Sequence, residues 1–431
     1  MNALADLRPL RENRTFRRLW LGTTASGLGS QFGAFAVMFY VWDRTHSAAL
    51  LGVAGLASGL PLIALALAGS AFADHVDRRL LALRCTYGSI VVSAAMTCVA
   101  FTGAGGVPAM LVLCGLQSAF SAVGGPARQT FVPALLAGER LAAGLALNHL
   151  SFQLAMLIGP ALAGAVTAFA GVGWCFAVDT VTFGAALIGV AGLPSVVPSA
   201  PGRSGVPAVM AGLAYAVRTP AVRGAFLADL AATTLAMPIA VFPVVNQERF
   251  GGRPEILGLF TTAIAVGGVA ASVLSGLATR RSRPGLVLLV CGTVWAAGLG
   301  LAAVASSLPV LLALLAVAGA ADTWAVVSRG TVVQSTVPEA YRGRIASLEH
   351  IVGTAGPHVG NVRAGLVAAA TSGGAALAIG GLAAAAATAL IAVGTPALRA
   401  FTVEHDRCSR AQRSPHGEPG ATGERCTKNE V

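Results

Sequence analysis

Charge is scarce in this chain of 431 residues: Asp, Glu, Lys and Arg make up 11% of it, and the only lysine is Lys428. With 55% hydrophobic residues beside so little charge, a soluble domain of this size is excluded. A Walker A loop needs G-x-x-x-x-G-K-[ST], and no lysine stands where one would complete it, so ATP-driven work within the chain is excluded. HxxxH, HExxH and CxxC are all missing, and His149, His350 and His358 are scattered. A membrane enzyme or a metal site would need such clusters, so neither is expected, and no cofactor is expected. The seven cysteines sit mostly in apolar runs and read as small buried residues, not as disulfides. A cleavable signal peptide is not visible, because the arginine-rich first eighteen residues lead into an apolar run too long for one.

What the chain does have is long apolar runs of the roughly 20 residues that a bilayer crossing requires. Twelve are read, at 19–42, 49–73, 80–101, 108–127, 144–170, 172–193, 224–246, 256–279, 285–305, 308–328, 345–370 and 374–394. Arginine placement checks the count. With the N-terminus in the cytoplasm, 25 of the 29 Lys and Arg fall on the inner side, and only Arg44, Arg249 and Arg253 fall outside. One missed span would scramble that asymmetry, so a multi-pass inner-membrane protein with both termini cytoplasmic is expected. The net charge of +11 is then an orientation signal. The arginines are spread over many inner loops and form no single stripe, so nucleic acid is not an expected partner.

Pro194, Pro198, Pro201 and Pro207 interrupt the apolar pattern at mid-chain, and a short surface helix over "AVMAGLAYAVRTPAVRGAF" leads into the seventh run. The expected divisions are an N-terminal segment 1–18, a first six-helix bundle 19–193, a linker 194–223, a second bundle 224–396 and a disordered polar tail 397–431. The halves repeat. "RQTFVP" (128–133) after run four matches "VQSTVP" (333–338) after run ten, and "GPALAG" (159–164) matches "GPHVGN" (356–361). The fold class read from these features is an all-α membrane protein, twelve transmembrane helices in two pseudo-symmetric six-helix bundles, with the geometry of secondary transport.

The loop "SAFADHVDRR" (70–79) resembles the major facilitator superfamily signature G-x-x-x-D-[RK]-x-G-[RK]-[RK], with Asp74 at the aspartate and Arg78 and Arg79 at the end. Ser70, His75 and Asp77 depart from that pattern, so the latch it implies is a modified one; the alternative is a charged cytoplasmic turn. In the second half Arg280 stands where the aspartate would be, so only the first copy can act as a latch. "LIGPALAG" is similar to the antiporter-type motif, whose Gly159, Pro160 and Gly164 serve close packing or a bend, as Gly356 and Pro357 do in the second copy. Together with "FRRLWLGTTASGLGSQFGAFA", "DLAATTLAMPIAVFP", "GAADTWAVVSRGTVVQSTVPEAYRGRIASLEH" and "GPHVGNVRAG", these strings resemble the enterobactin-type siderophore exporters of that superfamily over roughly residues 14–396. Macrolide and multidrug efflux proteins share much of the pattern. The resemblance implies alternating access, proton antiport, a small-molecule substrate and a monomer.

Charges inside a bilayer are costly, by about 2.5–3.5 kcal/mol each on insertion scales, so the few acids within the runs are candidates for proton coupling or substrate contact. They are Asp322 and Asp229, the first choices, whose alternative is a permanent partner such as Arg329, Arg363 or a backbone group, followed by Asp179 and Glu349. The amides Gln31, Asn148, Gln153 and Asn361 are candidates for substrate contact or for interhelical hydrogen bonds. Arg128 and Arg329, at matching inner ends, read as latch or headgroup anchor residues. In "TAGPHVGNVRAG" (354–365), His358 and Asn361 share a face at i, i+3 and form a candidate cavity pair. Arg363 turns away from that face, as a gate or an interfacial anchor.

Overall fold

The computed structural model describes residues 6–73, 77–195, 206–274 and 283–402, and no strand occurs among them. Six long helices fill the first half of the chain: α1 (Arg14–Thr45), α2 (Ala48–Ala73), α3 (Arg78–Thr102), α4 (Gly106–Gln129), α5 (Glu139–Ala170) and α6 (Val172–Ala191). Six more follow: α7 (Pro220–Leu235), α8 (Pro254–Val273), α9 (Pro284–Ala302), α10 (Leu308–Thr336), α11 (Glu339–Ala370) and α12 (Gly373–Gly394). The expected surface helix before α7 is present as Val206–Arg218.

Several helices outrun the apolar segments that announce them. Helix α10 continues through Arg329 and Gln334, and α11 begins at Glu339 and not near Ile345. The apolar run marks only the stretch that lipid requires, whereas backbone hydrogen bonding continues until a cap or proline stops it. Asn13 caps α1 by accepting from the Phe16 N–H at 2.9 Å, and its amide donates to the Leu135 carbonyl at 3.0 Å. Helix α7 differs from its expected single span 224–246: it ends at Leu235 and resumes as a 3-10 turn (Ile239–Val241) and a short helix (Phe242–Phe250). Pro238 and Pro243 supply no N–H there, and the freed Ala240 N–H donates to the Asn361 carbonyl oxygen on α11 at 3.2 Å.

Among the described residues, ten helices are long and apolar enough to cross a membrane by length and composition. The two outside that set, α1 and α11, are 32 residues each and carry the densest polar decoration. Large apolar side chains line the outer surface: Phe169 is 92% exposed, and Val181, Ile188, Leu382 and Leu390 stand out from their helices. Such a belt suits acyl chains and not water.

Within the first half, α1 packs on α5 and α6, α3 on α4 and α6, and α2 on α4. Within the second, α7 packs on α11 and α12, α9 on α10 and α12, and α8 on α10. The large contacts between halves are α5 on α8 and α2 on α11. Glycine makes both possible. A Cβ at Gly164 would meet the Pro254 carbonyl, and one at Gly258 would meet the Pro160 carbonyl. On the other side, Gly52, Gly55 and Gly59 of α2 face Val362, Asn361 and His358, while Gly365 faces the backbone of Ala48 and Gly52. These contacts gather where α2 and α8 begin and where α5 and α11 approach their ends.

Candidate functional site

Helices α7, α10 and α11 bring Asp229, Arg329 and Glu349 together. Arg329 pairs with Asp229 through Nη1, and its Nη2 reaches the Glu349 carboxylate at 3.4 Å. Arg329 is 9% exposed, Asp229 12% and Glu349 29%, so the cluster lies largely out of water. Arg329, named among the possible partners of Asp229, is in ion-pair contact with it. Asp322, two turns before Arg329 on α10, lies within electrostatic range of Asp229 and Arg329 but makes no ion pair among the described residues. Two carboxylates thus share one guanidinium, with a third in electrostatic range. With so little solvent screening, protonation of one acid changes the field felt by the others strongly.

Asp179 lies apart from this group. It is 3% exposed on α6, its Oδ2 accepts from the Ser93 hydroxyl at 2.8 Å, and its Oδ1 has no hydrogen-bond partner. The face of α1 opposite is Gly33, where a Cβ would stand 3.2 Å from Oδ2. Thr180 donates to Ser93 at 3.0 Å, so a small hydroxyl network on α3 and α6 holds this carboxyl without a cation. Sequence alone did not single out Ser93 or Thr180, since serine and threonine are common in membrane helices and only the α3–α6 contact joins them.

The first half has its own polar site. A cavity of about 310 Å³ lies among α1, α4 and α5 and is lined by Thr23, Ser26, Ser30, Arg128 and Asn148, with Phe152 and Phe183. Arg128 donates to the Thr86 hydroxyl at 3.3 Å. The α1 hydroxyls were also passed over at sequence level, although Thr23, Ser26 and Ser30 recur at helical spacing and mark one face. Neither Gln31 nor Gln153 lines this cavity: Gln31 packs against Gly159, and Gln153 is half-buried on α5.

The α11 pair sits in the contact between halves. His358 lies over Gly59 with its Nδ1 unpartnered, and Asn361 lies over Gly55 while capping the broken α7. Arg363 runs across to α12, where its Nη2 is 2.9 Å from the position a Gly380 Cβ would take. Gly356 faces Thr233 on α7, and α5 and α11 run unbroken through Pro160 and Pro357. Of the loop residues, Asp77 caps α3 by accepting from the Arg79 N–H at 2.7 Å, and Arg79 donates to the Ala191 carbonyl at 2.8 Å. Arg78 opens α3, whereas Asp74 lies outside the described residues.

Known proteins share this architecture. The "Multidrug efflux pump Tap" of Mycolicibacterium fortuitum is 27% identical over 359 residues, spanning 80% of this chain and 86% of that protein. The "Enterobactin exporter EntS" of Shigella boydii is 24% identical over 348 residues, spanning 80% and 83%. Among solved structures, a POT family transporter in complex with 5-aminolevulinic acid superposes with a TM-score of 0.70 at 13% identity, covering 90% of this chain and 97% of that one. A bacterial homologue of the iron transporter ferroportin, in an inward-facing state, gives 0.68 at 17%, covering 89% and 98%. Both establish the fold. The family described as transmembrane secretion effector matches residues 4–416, and the chain belongs to that family of major facilitator superfamily transporters.

Proposed function

We propose that this protein is a proton-coupled secondary exporter that works by alternating access, with an enterobactin-type siderophore as its substrate. The observation that carries the reading is the sharing of Arg329 by Asp229 and Glu349 with Asp322 in electrostatic range. A proton arriving on Asp322 or Asp229 redistributes the pairing within this cluster, which lies where α7, α10 and α11 converge. That gives proton occupancy a mechanical readout, as coupling requires. The twelve helices act as two six-helix bundles, 19–193 and 224–396, joined by the linker 194–223. These rock about the glycine contacts of α2 with α11 and α5 with α8. Those contacts close the outer end. The protein functions as a monomer in the inner membrane, both termini facing the cytoplasm. Asp74, Arg78 and Arg79 latch the inner end in the alternate state.

Proteoliposomes with an imposed pH gradient test the reading directly. Enterobactin accumulation that follows the gradient and collapses with a protonophore is the expected result, and gradient-independent movement overturns it. Multidrug efflux is the second reading, favoured by the similarity to Tap at 27% identity. A deletion strain that secretes normal siderophore under iron limitation yet becomes drug-sensitive would decide for it.

A further inference from the structure

We infer that Asp179 is a second proton-binding site, separate from the Arg329 cluster, and that the cavity among α1, α4 and α5 is its route to bulk water. The proton site stands on its own geometry, whereas its use in transport rests on the exporter reading.

Asp179 stands near the middle of α6, 3% exposed, with its Oδ1 buried and unpartnered. Helix α1 presents Gly29 and Gly33 to it, where a Cβ would stand 3.2 Å from the Asp179 Cα and 3.2 Å from its Oδ2, and α3 presents the Ser93 hydroxyl. The charged side chains nearest along these helices are Arg18 and Asp43 on α1 and Arg84 on α3, each more than about two turns away, and α6 carries no other. Cys175, one turn along α6, turns to α5 and donates to the Ala163 carbonyl at 3.4 Å, and Tyr40 lies farther along α1. No charged group among the described residues lies in electrostatic range of the carboxyl. An ionised carboxylate accepts up to about four hydrogen bonds, and here Ser93 alone supplies one. Burying a charge with so little compensation is costly, so a proton is the partner that fits.

The hydroxyl network takes that proton without moving the backbone. With the proton on Oδ2, the carboxyl donates to Ser93 Oγ, and the Ser93 hydroxyl turns to the Phe176 carbonyl, 3.4 Å away. Thr180 keeps its own donation to that carbonyl at 2.9 Å. The route lies close by. Thr23, Ser26 and Ser30 line the α1 wall of the half-open cavity of about 310 Å³, and Phe183 lines it from α6. Ser30 is one turn from Gly33 and Phe183 one turn from Asp179, both toward the end of the bundle where Arg128 lies. The cavity therefore stops a single turn short of the carboxyl, and the Phe183 ring, 3% exposed, stands in that gap. Rotation of the ring lets a water from the cavity reach the carboxyl, with hydroxyls on α1 and α3 to hold it.

The test is infrared difference spectroscopy of the full-length protein in phosphatidylcholine nanodiscs, reading the carbonyl stretch of protonated carboxyl groups at neutral pH. The wild type is expected to show one such band that Asp179→Asn lacks. Ser93→Ala, which takes away the hydrogen-bond partner, is expected to shift that band without removing it. After transfer to heavy water, the band is expected to exchange about tenfold or more faster in Phe183→Ala than in the wild type. Identical spectra for the wild type and Asp179→Asn, or a band indifferent to Ser93→Ala, overturn the proton site, and equal exchange rates overturn the route. Coupling is read separately in proteoliposomes as protons moved per enterobactin. That ratio is expected to fall in Asp179→Asn with the wild-type size-exclusion profile kept, and an unchanged ratio overturns the use of this proton in transport. A wild-type protein that shows the band yet moves neither enterobactin nor ethidium with the pH gradient sinks the exporter reading and leaves the proton site standing.

Discussion

Each half of the chain carries an arginine in the later part of its fourth helix, Arg128 one residue before the end of α4 and Arg329 two turns before the end of α10, but the two arginines live in opposite surroundings. Arg329 is claimed by Asp229 and Glu349 and is nearly buried. Arg128 has a hydroxyl for company and an open polar cavity beside it. The repeat that matches "RQTFVP" to "VQSTVP" sets Arg128 against Val333, so the two arginines stand at different positions on corresponding helices. One is held by acids from two neighbouring helices, and the other by a hydroxyl.

The strongest way to break that contrast is at Asp322. Asp322→Asn removes the one acid near the cluster that has no ion pair, and pH-gradient-driven transport in proteoliposomes is expected to fall to background while the protein keeps its size-exclusion profile. Unchanged transport would take Asp322 out of the mechanism. Next in size is Arg329→Gln, which strands two partly buried carboxylates and is expected to cost about 3–5 kcal/mol of stability. Thermal unfolding in detergent reads it. The matching change Arg128→Gln strands no acid and is expected to stay within about 1 kcal/mol of the wild type. Equal losses in the two variants would erase the contrast between the halves.

A third prediction concerns the hinge between halves. Leucine at Gly164 collides with the Pro254 carbonyl on α8, and close backbone approach of this kind tolerates no side chain. Gly164→Leu is expected to slow transport about tenfold or more with a smaller effect on substrate binding, because the collision falls on the moving contact; one order of magnitude corresponds to about 1.4 kcal/mol. A parallel loss of binding would place Gly164 in the fold of the site and not in the motion.

Much of this was legible in the sequence, and the reasons are physical. A bilayer forces runs of about 20 apolar residues, so the long helices are written in composition. Even the helix Val206–Arg218 and close packing at Gly159 and Gly164 could be read from small residues and punctuation, whereas the meeting of Gly164 with α8 of the other half could not. Pairings were not legible. Asp229 meets Arg329 only because α7 crosses α10 at that height, and one turn of slippage would have offered a different partner. Likewise His358 and Asn361 share a face, as their spacing requires, but which helix that face meets depends on the packing of α11 against α2. The break in α7 was half legible: "MPIAVFP" shows two prolines, yet the acceptor for the freed Ala240 N–H lies 121 residues away.

The contrast between halves can also be sharpened by transplanting an acid. Thr24 lines the Arg128 cavity, and its hydroxyl has no hydrogen-bond partner. Thr24→Asp brings a carboxylate to a cavity whose lining has none and gives Arg128 the kind of partner Arg329 has. In that background Arg128→Gln is expected to cost about 1–3 kcal/mol more stability than it costs in the wild type, read by thermal unfolding. The smallest expected effect comes from Asn361→Leu. It removes the acceptor for the Ala240 N–H at the break in α7, and an orphaned buried N–H costs about 1–3 kcal/mol, reduced here because the side chain is only half-buried. Thermal unfolding should register a loss near the low end of that range, and an unchanged melting temperature would take the Ala240–Asn361 hydrogen bond out of the account of the α7 break.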